Sequence, residues 1–158
     1  MANDRELLND PRITLMGLLE EAHAALADKT AQQITQNQLA TGEFEALLRL
    51  ARSENHQLRM SDLAAQSGLT NSGATRLVDR LEARGLVTRQ TSPDDRRGTS
   101  AVLTEPGLEM VLKVLPGHLE IVQSAFLDGI PEASREVFFD TLRAVRNHIR
   151  PEAERGAH

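Results

Sequence analysis

The order of patterns between Ser61 and Leu103 restricts this chain more than any other feature. Asp62 to Gln66 reads as a short helix that Ser61 can cap and that stops at Ser67-Gly68. Two residues later a second helix is expected, with Thr70 or Ser72 as its cap and Ala74, Leu77, Val78 and Leu81 along one inner face. Gly85 stands where a C-terminal glycine belongs. Leu86-Val87-Thr88-Arg89-Gln90 and Thr99 to Leu103 are short, strand-like runs. They flank a polar tip, Ser92-Pro93-Asp94-Asp95-Arg96-Arg97-Gly98, so the pair predicts a β-hairpin.

Helical patterns flank this block on both sides. Leu15, Leu18, Leu19, Ala22, Ala25 and Leu26 recur at helical spacing, which predicts one long helix over 11–36. Thr41 is placed to cap the next helix, with Phe44, Leu47, Leu48 and Ala51 on one face. After Thr104 a stripe of Leu108, Val111, Leu112, Leu115, Leu119, Val122 and Phe126 resumes, with a kink or break expected near Leu115 because Pro116-Gly117 follows. A last helix over about 131–149 carries Phe138, Leu142, Val145 and Ile149. The expected class is mainly α with a small β-hairpin. The predicted division is an N-terminal helix (1–40), a compact block (41–104), C-terminal helices (105–150) and a tail (151–158).

Composition narrows the function classes. With no cysteine, disulfides, thiolate metal sites and thiol redox chemistry are excluded. The acidic start, Met1 to Asp10, is unlike a secretory leader, and no apolar run approaches the roughly 18 residues that span a bilayer. A cytoplasmic protein with no membrane partner is therefore expected. The net charge of −5 is unevenly spread. Residues 59–100 hold seven basic and five acidic residues, a balance of +2, so the remainder carries −7. A basic segment on an acidic body is compatible with a nucleic-acid partner, because phosphate contacts depend on the local patch.

Each part of the central block has a use on DNA. The short helix braces its successor, which lies in the major groove. Its outward residues, Asn71, Ser72, Thr75, Arg76, Asp79 and Arg80, combine short hydroxyls near the N-terminus with arginines further on. The helix N-terminus itself favours an anion, and Gly73 permits close approach to a phosphate. Arg96 and Arg97, on a hairpin tip with nothing apolar to bury, suit the negative potential of a narrow minor groove. Asp94 or Asp95 can pair with them and fix the tip beside Gly98.

The residues Met60-Ser61-Asp62-Leu63-Ala64, Gly68-Leu69-Thr70 and Thr75 through Val87 resemble the helix-turn-helix of the MarR (multiple antibiotic resistance regulator) family. The tip Pro93-Asp94-Asp95-Arg96-Arg97-Gly98, followed by Val102-Leu103-Thr104 and Gly107, is similar to that family's wing and its return into the next helix. The Asp95-x-Arg97-Gly98 tip is the most specific of these signals. The resemblance implies a winged helix-turn-helix domain flanked by dimerisation helices. It further implies a homodimer on a pseudo-palindromic double-stranded operator, with no catalysis. Ser61, Thr70, Asn71, Ser72, Thr75, Arg76, Arg80, Arg96 and Arg97 are the expected DNA contacts, Arg97 matching the wing-tip arginine. A repressor released by a small aromatic or amphipathic ligand is the expected mode, with His23, Phe44, Leu47, Leu48 and Arg49 the candidate pocket.

Other classes have less in their favour. The five histidines form no H-x-x-x-H pair and no cluster at ligand spacing, so no metal is expected. No G-x-S-x-G, P-loop or dinucleotide glycine motif is present, and no cofactor is expected. The remaining alternatives are a winged-helix module for protein–protein contact and a regulator of another winged-helix family.

Overall fold

The computed structural model describes residues 4–91 and 98–154. A short helix α1 (Asp4–Leu8) precedes α2 (Pro11–Gln36), whose cap is Asp10 accepting from the Arg12 amide at 2.8 Å. Next comes α3 (Thr41–Arg52). Its cap is Ala40 rather than Thr41: Ala40 has no side-chain acceptor for the helix amides, but the Glu43 carboxylate accepts the Ala40 amide at 3.1 Å, the reciprocal half of a capping box.

A single-turn 3₁₀ segment, Glu54–His56, leads into β1 (Gln57–Arg59), a strand the sequence pattern does not announce. It has three residues and one inward side chain, Leu58, too short a run for alternation to register. Helix α4 (Met60–Ser67) starts two residues earlier than expected. Arg59 stands at the cap position without a side-chain capping bond, and Ser61 lies exposed inside the first turn. Gly68 closes α4 at φ +66°, the left-handed conformation that ends helices on glycine.

Thr70 caps α5 (Asn71–Ala83), its hydroxyl accepting from the Gly73 amide at 3.1 Å. Strands β2 (Val87–Thr91) and β3 (Thr99–Leu103) pair antiparallel from Val87↔Leu103 out to Thr91↔Thr99. Strand β1 adds to the far edge of β3, giving the order β1-β3-β2, so the expected hairpin is part of a three-stranded sheet.

Helix α6 (Glu105–Ala125) runs through Pro116 without a break. Proline deprives the Leu112 carbonyl of its usual partner, but Leu112 is exposed, where water can replace the bond. Across the helix, Gln33 Nε2 donates to the Val114 carbonyl at 3.0 Å. The segment Glu105–Gly129 is also long and apolar enough to cross a membrane by length and composition, with a mean hydropathy of 1.2 over its window. Glu105, Glu109, Lys113, Glu120 and Asp128 interrupt this segment, so no uninterrupted apolar run approaches the roughly 18 residues that span a bilayer. A 3₁₀ turn, Glu132–Ser134, precedes α7 (Arg135–Ile149), and Pro151–Glu154 forms a last turn.

The core sits in the middle of the chain. Phe44, Leu47 and Leu50 of α3 pack with Leu63 of α4, Leu77, Val78 and Leu81 of α5, Ala101 of β3, and Val111 and Val114 of α6. The outer helices contribute little to it. Leu15 and Leu18 on α2 are 65% and 61% exposed, and Ile149 on α7 is 70% exposed. Those stripes are apolar yet uncovered within one chain.

Candidate nucleic-acid interface

Helix α5 presents two faces of opposite character. Ala74, Leu77, Val78 and Leu81 are buried, whereas Asn71, Ser72, Thr75, Arg76, Asp79 and Arg80 are exposed along the other side. Thr70 and Ser61 are exposed as well. At the N-terminus the Thr70 and Ser72 hydroxyls share a 3.1 Å hydrogen bond. Thr75 Oγ1 donates to the Asn71 carbonyl at 2.9 Å, so its proton is committed and its oxygen and methyl remain for an incoming group.

Two ionic braces hold this helix, and both rest on residues the sequence reading passed over. Arg89 of β2 donates to Glu82 Oε2 at 2.6 Å, to Asp79 Oδ1 at 2.6 Å and to the Thr75 carbonyl at 3.1 Å. Its own amide donates to Glu82 Oε1 at 3.1 Å. Backbone and side chain of one strand residue thus clamp the sheet onto α5. On the other flank, the buried Glu43 carboxylate accepts from Arg80 Nε at 3.4 Å and from Arg84 at 3.1 Å while also capping α3. A carboxylate so placed is satisfied by three donors, which removes most of the penalty for burying it. Arg80 is consequently half committed to Glu43, although its side chain remains 58% exposed. No short motif marks these pairs, because the partners are 7 to 41 residues apart.

The sheet and α6 meet at a third lock. Thr104 Oγ1 donates to the Gly85 carbonyl at 2.7 Å and accepts from the Gly107 amide at 3.1 Å, while the Thr104 amide donates to the Leu86 carbonyl at 3.1 Å. A Cβ on Gly107 would lie 2.1 Å from the Leu86 oxygen, so only glycine fits there. Gly98, half-buried, leads into β3. Asp94, Asp95, Arg96 and Arg97 lie outside the described residues.

The candidate ligand pocket comes out differently from its sequence outline. Phe44 and Leu47 are 1% and 0% exposed, part of the packed core rather than the wall of a cavity. His23 is exposed on α2, while Leu48 and Arg49 are half-buried. Two residues the sequence reading left out have the unsatisfied polar atoms that a pocket offers. His118 of α6 lies against Phe44 with ring centroids 5.1 Å apart, and its Nδ1 is buried with no hydrogen-bond partner among the described residues. Gln33 Oε1 is in the same condition, and Gln33 sits against Gly117, next to His118. Burial holds the His118 imidazole below the usual histidine range, opposed by the Glu45 charge. The signal that could have found them is their position: His118 follows Pro116-Gly117 on α6, and Gly117 faces a glutamine one turn from the end of α2. Among the described residues no group of three or more His, Asp and Glu could hold a metal ion.

Comparison with known proteins gives a consistent family. The model of the MarR family matches residues 34–99, which span the core block from the end of α2 to the start of β3. The transcriptional repressor MprA of Escherichia coli K12 is 42% identical over 73 residues, which are 46% of this chain and 42% of that protein. The chain therefore aligns with less than half the length of this curated relative. The crystal structure of AbsC, a MarR family transcriptional regulator from Streptomyces coelicolor, superimposes with a TM-score of 0.83 at 30% identity, covering 90% of this chain and 97% of that one. Sco3205, a MarR family transcriptional regulator from the same organism solved in complex with DNA, gives 0.79 at 28% identity, covering 94% and 89%.

Proposed function

Because the chain belongs to the MarR family, we propose that it is a cytoplasmic, homodimeric transcriptional regulator that binds a pseudo-palindromic DNA site and represses until a small aromatic or amphipathic ligand releases it. The observation that carries this reading is the polar face of α5, exposed from Asn71 to Arg80 and clamped rigidly by Arg89 and Glu43. A site held on braced secondary structure keeps the sub-ångström placement that base readout demands. Asn71, Ser72, Thr75 and Arg76 take the base edges; Thr75, with its proton committed, reads through its oxygen or methyl. Thr70 and the α5 N-terminus take phosphate, as does Ser61 beside them. Arg80 does so once it leaves Glu43, and Arg96 and Arg97 reach the flanking minor groove, with Asp94, Asp95 and Gly98 shaping the tip.

Dimerisation follows from the uncovered stripes. Leu15, Leu18 and Leu19 on α2, Leu119 on α6 and Val145 and Ile149 on α7 are all exposed in one chain. Contiguous apolar faces of this kind mark an interface. The ligand enters between α2, α3 and α6, where Leu48 supplies apolar surface and His118 Nδ1 and Gln33 Oε1 supply unmet hydrogen-bonding capacity.

In vitro selection from random duplexes tests the proposal. The expected product is a two-fold site with half-sites centred about 10 bp apart, bound by a species that light scattering sizes as a dimer. Recovery of no enriched sequence, with a protein that still folds, would leave the chain a protein-interaction module instead.

A further inference from the structure

Arg150, just past the end of α7, turns inward. Its NH2 donates to the Ala65 carbonyl of α4 at 2.6 Å, across 85 residues of sequence. The guanidinium also lies over the left-handed Gly68 turn, 3.0 to 3.3 Å from where a Cβ would stand. A helix C-terminus favours such a contact, because its last carbonyls lack intrahelical partners and carry the negative end of the dipole. The last turn of α4, Ala64-Ala65-Gln66-Ser67, has no basic residue of its own, so the cation arrives from the far end of the chain. The backbone then folds back, Ala153 donating to the Arg150 carbonyl at 3.0 Å and becoming buried.

What lies at each end of this contact gives it a consequence. Gly68 stands two residues before Thr70, the cap of the groove-facing helix α5. Arg150 continues α7, whose residues are all exposed or half-buried in one chain and whose Val145 and Ile149 belong to the apolar surface assigned above to the dimer. At its start α7 is held by local bonds, Arg135 donating to the Leu127 carbonyl at 3.1 Å and to the Ile130 carbonyl at 3.2 Å. At its end the guanidinium reaches a different part of the fold. The joint there is otherwise open: a cleft of about 510 Å³ is lined by Leu69 and Thr70 as well as by Arg150 and Glu152. Glu152 itself is a loose partner, 3.6 Å from Arg150 Nε.

We propose that Arg150 is a positioning residue for DNA binding: by fastening the end of α7 to the α4–α5 turn, it fixes where α5 stands relative to the dimer interface and so sets the half-site spacing that the dimer accepts. The inference rests on the dimeric, operator-binding reading above. Arg150 acts through the turn and not through any contact with DNA. One base pair added between half-sites moves them about 3.4 Å apart and turns them about 34° around the axis. Lobes fastened to the dimer helices resist that displacement, and unfastened lobes follow it.

Anisotropy titrations of the full chain decide the matter, on the duplex enriched by selection and on versions with one base pair added or removed between the half-sites. The parent should prefer the enriched spacing by roughly 5- to 150-fold, the range of ordinary coupling between sites. Arg150→Gln should remain a folded dimer by circular dichroism and light scattering and keep the parent's affinity for scrambled DNA, yet lose most of the spacing preference. Gly68→Asn attacks the same contact from the other side. Asparagine tolerates the left-handed backbone, and its Cβ displaces the guanidinium, so this variant should reproduce Arg150→Gln. Gly85→Asn is the control, with φ +70° and nothing within 4 Å of its Cβ, and should keep the parent's profile. A parent with no preferred spacing overturns the operator reading and this inference together. A parent preference that either Arg150→Gln or Gly68→Asn retains overturns the inference alone. The same loss of preference in Gly85→Asn overturns it too, as does an Arg150→Gln chain that no longer folds as a dimer, since the contact would then support the fold rather than set the spacing.

Discussion

Replacing Gly107 by alanine should weaken the joint between the sheet and α6 far more than a one-carbon change suggests. The new Cβ would lie 2.1 Å from the Leu86 carbonyl oxygen and 2.7 Å from Leu103 Cδ1, more than 1 Å inside ordinary contact with a backbone atom that cannot rotate away. Relief requires α6 to lift at its first turn. That motion strains the bonds gathered there, from Thr104 to Gly85 at 2.7 Å, from Thr104 to Leu86 at 3.1 Å and from Gly107 to Thr104 at 3.1 Å. Overpacking of this kind costs about 1–3 kcal/mol, and each weakened hydrogen bond adds about 1 kcal/mol. Alanine's better helix propensity returns up to about 1 kcal/mol. The net loss is about 3–5 kcal/mol, or a fall in melting temperature of roughly 6–20 °C, measurable by circular dichroism. Gly42→Ala is the control, since a Cβ there meets nothing within 4 Å and should be neutral or mildly stabilising. A Gly107→Ala protein that melts within a degree or two of the parent would refute the claim that this close approach fixes the joint.

Three further outcomes follow from the same contacts. Arg89→Ala and Asp79→Asn, measured singly and together by urea unfolding, should show a coupling of about 0.5–1 kcal/mol, kept modest because Asp79 is 55% exposed; additive effects would dissolve the clamp. Glu43→Gln should destabilise by about 1–3 kcal/mol, since it weakens the α3 cap and leaves Arg80 and Arg84 without their carboxylate; an unchanged unfolding midpoint would contradict it. Burial holds the His118 imidazole below the ordinary histidine range, so it is protonated more readily in the unfolded chain and stability should fall as pH drops below about 6.5. His118→Gln should flatten that part of the pH profile, and an identical slope in parent and variant would assign it elsewhere.

What could be read from the sequence was local in origin. Pattern and caps placed α2 at 11–36, ended β3 at Leu103 and offered Thr70 or Ser72 as the α5 cap, of which Thr70 is the one used, because periodicity and capping act within a few residues. Strand β1 escaped because three residues carry no period, and its identity comes from pairing with β3 some 40 residues later. Thr41 and Ser61 failed as caps because a helix end takes any acceptor within reach: Glu43 served α3, and α4 began without one. The outward face of α5 was legible, but the Arg89 and Glu43 braces were not, since they join residues that only the tertiary fold brings together. The pocket outline suffered from the same limit. Phe44 and His23 entered the outline through the family resemblance, which carries no packing of this chain; Phe44 is buried in the core and His23 is exposed on α2.

The central claim, that the exposed face of α5 reads DNA sequence, is tested most directly by fluorescence anisotropy on two duplexes, one enriched by selection and one scrambled. The parent chain should bind the enriched duplex at least 10³-fold more tightly at physiological salt, on the order expected for a specific site. Arg76→Ala and Thr75→Ala should each lose roughly 1–3 kcal/mol on the enriched duplex and almost nothing on the scrambled one. Arg97→Ala should weaken both alike and lower the salt dependence by about one unit. Equal losses on both duplexes for all three variants, or no preference by the parent chain, would contradict the account.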